Sequence, residues 1–85
     1  MGADHSNPKA TITAAQLRAA RALLDWSANE LASRCGVSHS AISRAERING
    51  DPHMHARNLK AIRAALEENG IEFLAGNGVR LRSLE

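Results

Sequence analysis

A chain of 85 residues, 44% of them hydrophobic, excludes a disordered polyelectrolyte and has room for one domain, which at this size buries only about 60% of its unfolded surface. A net charge of +2 and a pI of about 9.3 permit nucleic-acid binding without requiring it, and nine of the eleven cations are arginines, which suit phosphate and guanine better than lysine does. No apolar run approaches the ~20 residues of a membrane span, no nucleophile–base–acid set supports an enzyme, and no Cys pair or carboxylate at ligand spacing supports a metal or other cofactor.

Residues 1–10 (MGADHSNPKA) are polar and aperiodic and read as a flexible N-terminal tail, leaving 11–85 as the domain. The opening MGADHS fits the short N-myristoylation pattern, one that chance often meets. Three helix starts then repeat one grammar: an apolar residue, a Ser or Thr cap, and a second apolar residue five positions after the first. Ile12-Thr13 precedes Leu17, Trp26-Ser27 precedes Leu31, and Val37-Ser38 precedes Ile42. This is the hydrophobic staple, and Thr13 with Gln16 and Ser27 with Glu30 add capping boxes.

The spacing predicts a first helix over about 13–24 with Leu17, Ala20 and Leu24 on one face. A second over about 28–35 turns Leu31, Ala32 and Cys35 inward, and Gly36 ends it in the left-handed region. As the lone cysteine, Cys35 cannot form an internal disulfide. With no recognisable secretory signal, a reducing cytoplasm is expected. Its inner position predicts an inert thiol rather than a redox sensor, which would need an exposed, electropositive setting. A third helix covers about 39–47, a loop follows at 48–52, and a fourth helix covers about 55–68, with Leu59, Ile62 and Leu66 inward and Asn69-Gly70 as the stop. The period then changes. IEFL (71–74) and VRLR (79–82) alternate about AGNG, a β-hairpin over about 71–82. Two strands alone are marginal in water, so Ile71, Phe73, Val79 and Leu81 must pack on the fourth helix or on another copy of the chain.

Two short helices joined by a three-residue turn containing Gly make a helix-turn-helix, here over about 27–47. In that motif the second helix lies in the major groove and reads bases near its N-terminus. Val37 and Ile42 would hold it to the core, with His39, Ser40, Ser43 and Arg44 left facing outward. The same polar face could be plain solvated surface. Trp26 reads as a core staple before a base-stacking platform. His53 and His55, with His39 or His5, have weak metal geometry and suit loop or phosphate contacts better.

NELASRCGVSHSAISRAER resembles the helix-turn-helix of the Cro/CI-type, XRE-like transcription regulators of bacteria and phages: Glu30, Leu31, Ala32, Gly36, Val37, Ser38, Ile42, Ser43 and Glu46 fit the pattern. The likeness covers about 11–68. It implies a mainly α fold, a lambda-repressor-like bundle of four helices, or five, here with a C-terminal hairpin where the family often has a fifth helix. It places base contacts on His39, Ser40 and Arg44, with Ser43 nearby, and phosphate or positioning contacts on Ser27, Ala28, Ser38, Arg47, Asn49 and His53. It pairs Arg21 with Glu46 as a structural ion pair. The implied function is a cytoplasmic, nucleoid-associated repressor or activator that binds double-stranded operator DNA as a homodimer. The lone hairpin and the small core, rather than the family pattern, place the dimer surface on the hairpin residues Ile71, Phe73, Val79 and Leu81 with the end of the fourth helix. The alternative is an antitoxin or antiactivator that acts mainly on a protein partner, through the hairpin or the tail.

Overall fold

The structure, a computed structural model, describes residues 12–47 and 56–82; the expected tail at 1–10 and loop at 48–52 lie outside them. Among the described residues four helices, α1 (Ala14–Leu24), α2 (Ala28–Cys35), α3 (His39–Arg47) and α4 (Ala56–Glu68), precede two strands, β1 (Ile71–Phe73) and β2 (Val79–Leu81). This is the expected mainly helical bundle with a terminal hairpin.

The caps explain where the helices begin. Thr13 accepts from the Gln16 N–H at 3.1 Å while the Gln16 carboxamide accepts from the Thr13 N–H at 2.8 Å, so the first capping box closes on both sides. The second closes on one side only. Ser27 accepts from the Glu30 N–H at 3.0 Å, but the Glu30 carboxylate turns to Arg34 one turn on, at 2.6 Å. A charged partner at i+4 outcompetes a neutral backbone N–H for that carboxylate. α1 ends in a Schellman arrangement: Asp25 takes a left-handed φ of 59°, its N–H bonds Ala22 O, and the Trp26 N–H bonds Arg21 O. Asp tolerates that region better than most residues. Gly36 ends α2 at φ 74°, as its type predicts.

Among the described residues Leu17, Leu31, Ile42, Ile62, Leu66 and Ile71 are the large side chains fully buried. Each supplies about 1.5–3 kcal/mol of transfer free energy. Leu24, Trp26, Ala32, Cys35 and Leu59 pack around them half-buried. The strands pair antiparallel, with Ile71 opposite Leu81 and Phe73 opposite Val79, and each is one residue shorter than its alternating run.

The hairpin docks on more than the expected helix. β1 lies against α4, but β2 lies against α1. Gln16, only 3% exposed, makes the difference: its amide donates to Leu74 O at 2.9 Å and Gly78 O at 2.8 Å. The Thr13 hydroxyl adds a bond to the Asn77 side-chain oxygen at 2.7 Å. One buried carboxamide therefore both closes the α1 cap and holds the hairpin turn to it. Ile71 consequently belongs to the core of the single chain, Phe73 and Val79 are half-buried, and Leu81 stays 40% exposed.

Candidate nucleic-acid interface

α2, the turn Gly36–Val37–Ser38 and α3 are set against α1 by both apolar and ionic contacts. Ile42 and Ala45 are buried, as is Glu46, at 9% exposure. The Ser38 hydroxyl accepts from the Ala41 N–H at 3.2 Å and so caps the start of α3. With the apolar side of α3 spent on the core, Ser40, Arg44 and Arg47 form an exposed row at i, i+4 and i+7, flanked by exposed His39 and half-buried Ser43. Neither Arg44 nor Arg47 has an ion-pair partner among the described residues. The outward face of α3 thus offers uncommitted cations and short hydroxyls, which suit base edges and phosphates.

The anchor of α3 is a fork. Arg21 Nε donates to Glu46 Oε2 at 2.8 Å and its second terminal nitrogen to Oε1 at 2.9 Å, while the first reaches the Trp26 carbonyl at 2.9 Å. Glu46 holds the Arg21 guanidinium above the ordinary arginine range through this hydrogen-bonded contact, against the opposing effect of burial. α1 is thereby joined to α3 and to the turn that leads into α2. Arg18, one turn earlier on α1, donates to the Glu46 backbone carbonyl and satisfies an orphan acceptor at the end of α3. Sequence reasoning missed both Arg18 and the hairpin role of Gln16. The available signal was a second arginine three residues before Arg21, and an amide at a helix position that also faces inward.

Around the motif, Ser27 is exposed and Ala28 half-buried at the start of α2, where unsatisfied N–H groups and the helix dipole favour an anion. Ser38 is exposed beside α3. Arg34 is not a free cation: it pairs with Glu30 and lies 4.4 Å from the centroid of the Trp26 ring. Trp26 is half-buried against the core with that arginine over its ring. Cys35 is half-buried, and burial pushes its thiol up from the ordinary value. Asn49 and His53, expected to meet phosphate, lie outside the described residues, as do His5 and His55. Among the described residues no group of three or more His, Cys, Asp or Glu is placed to hold a metal, and no helix is long and apolar enough to cross a membrane.

Residues 13–69 match the family model described as a helix-turn-helix domain, which agrees with the resemblance to XRE-like regulators. A search of curated proteins gave no match.

Proposed function

The chain belongs to the helix-turn-helix domain family, a premise of DNA binding from which we propose that it is a sequence-specific transcriptional regulator acting on operator DNA as a homodimer. The observation that carries this reading is the division of α3. Its buried side puts Ile42 and Ala45 into the core and Glu46 onto Arg21 of α1, while Ser40, Arg44 and Arg47 stand exposed with no competing partner among the described residues. Arg44 is the base reader, by two bonds to guanine O6 and N7, a contact that discriminates by about 1–3 kcal/mol. His39, Ser40 and Ser43 contact bases beside it. Ser27, Ala28, Ser38, Arg47, Asn49 and His53 contact or border phosphate and set register. A two-fold dimer would use inverted half-sites about one helical turn apart. Its surface would be built on Phe73, Val79 and Leu81, with buried Ile71 behind them, and the end of α4.

A specific observation also favours contact with another protein. Leu74 and Leu81 of the hairpin are exposed, and an open groove of about 430 Å³ runs along β1 between Glu67 and Arg82. An antitoxin or antiactivator would use that side. Sequence-specific binding is tested by a gel shift on the DNA upstream of the chain's own gene, with excess random competitor, at two salt concentrations, and co-purification of a second protein tests the alternative. A discrete band surviving competition supports the regulator. A smear that disappears with salt leaves only non-specific affinity there and turns the search to a protein partner.

A further inference from the structure

The chain contains three Asn-Gly dipeptides, Asn49-Gly50, Asn69-Gly70 and Asn77-Gly78, the first of them outside the described residues. Asparagine before glycine is open to attack on its side chain by the next backbone nitrogen, because glycine has no Cβ to shield that nitrogen. The other two dipeptides stand in opposite surroundings. At the end of α4 the Asn69 amide nitrogen donates to Ala65 O at 2.8 Å, the Gly70 N–H donates to Glu67 O at 3.1 Å, and Gly70 is buried. Leaving group and nucleophile are both held. At the hairpin turn Asn77 is exposed, and its amide nitrogen has no bond among the described residues. The Thr13 hydroxyl donates to its carbonyl oxygen at 2.7 Å, which draws electrons from Cγ. The Gly78 N–H has only a long 3.4 Å contact to Ala75 O.

We infer that Asn77 is a site of spontaneous deamidation that loosens the hairpin from α1. The Gly78 nitrogen loses its proton to solvent and bonds to Asn77 Cγ. The Cγ–Nδ2 bond breaks, and Nδ2 leaves as ammonia with a proton from water. A five-membered succinimide remains. Water then opens it at either carbonyl, giving aspartate, or isoaspartate with the backbone rerouted through the side chain. The isoaspartate adds a methylene to the main chain directly before Gly78. That displaces the Gly78 carbonyl from Gln16, whose amide otherwise bridges it and Leu74 O at 2.8 and 2.9 Å. Only solvent is consumed.

The test is incubation of the full chain at mildly alkaline pH, followed by peptide mapping with mass detection. It is run native and in urea. In urea both asparagines should convert at similar rates, since glycine follows each. In the native chain Asn77 should keep nearly that rate, while Asn69 slows about tenfold or more, in line with the local opening it then needs. Hydrogen exchange supplies the second readout. The Leu74 N–H donates to Gly78 O at 2.9 Å and the Arg82 N–H to Gly70 O at 2.8 Å, and both amides should exchange faster in the isoaspartate fraction than in an Asn77→Asp variant, which has the same charge on an ordinary backbone. Native Asn69 converting as fast as Asn77, or native Asn77 remaining intact while the urea sample converts, would overturn the site. Equal exchange in the isoaspartate and Asn77→Asp proteins would overturn the loosening.

Discussion

The Arg21–Glu46 fork should dominate the mutational energetics of this bundle. Glu46→Leu leaves the Arg21 guanidinium with two of its three bonds missing. Each charge-assisted bond contributes about 1.5–3 kcal/mol net, so the upper figure is about 3–6 kcal/mol. Arg21 is 23% exposed and recovers part of that from water, while Glu46 is 9% exposed; about 2–4 kcal/mol is therefore expected for either Glu46→Leu or Arg21→Met. Against the 5–15 kcal/mol typical of a whole domain, such a loss is large, about 4–8 °C in Tm for each kcal/mol. The double variant Arg21→Met/Glu46→Leu removes both charges and should return to within about 1 kcal/mol of the parent, because a buried ion pair replaced by apolar groups is often neutral. Urea unfolding of all four proteins measures this, with an unchanged m-value required for the comparison. The Arg21 pKa is raised, so its contribution is complete below the ordinary arginine range and lost only as pH climbs through the raised value. The Arg21 side of the pair therefore brings no pH dependence near neutrality. Strictly additive losses in the double variant would refute the coupling, and so would a cost below about 1 kcal/mol for Glu46→Leu.

Three further outcomes are expected. Arg44→Ala should cost about 1–3 kcal/mol of operator binding and relax one base position, whereas Arg47→Ala should weaken all sequences alike and lower the salt slope by about one; titrations of both against a selected and a scrambled duplex distinguish them, and equal behaviour of Arg44→Ala and parent on every duplex would remove α3 as the reader. Gln16→Ala strips a partner from Leu74 O, Gly78 O and the Thr13 N–H, so it should destabilise by about 1–3 kcal/mol and raise hydrogen exchange first in the hairpin; a parent-like melt would show the latch to be idle. Cys35 should react with a disulfide reagent more slowly than free cysteine at neutral pH and reach the free rate in urea, because the native thiol is half-buried and holds its proton to higher pH; native reactivity at the free rate would contradict this.

Local chemistry carried much of this protein's description. Thr13, Ser27 and Ser38 carry short hydroxyls that readily accept from the N–H three residues ahead, and Gly36 enters the left-handed region without steric cost, so the starts of α1, α2 and α3 and the end of α2 are legible residue by residue. The outward row of α3 follows equally from periodicity, since burying Ile42 leaves Ser40, Arg44 and Arg47 no other side to occupy. Competition between alternative partners and interactions between distant segments were not legible in that way. The carboxylate of Glu30 had two short-range partners, and only its realised geometry chose Arg34 over the cap. Gln16 looked like a capping residue and nothing more, because a pattern along the chain cannot show that Leu74 O and Gly78 O arrive beside the same amide. The alternating hairpin declared an apolar face without declaring how it divides. Tertiary packing gave Ile71 to the core and left Leu81, its partner directly across the ladder, 40% exposed, because the bundle closes over the β1 side of that pair, against α4, and not over the β2 side.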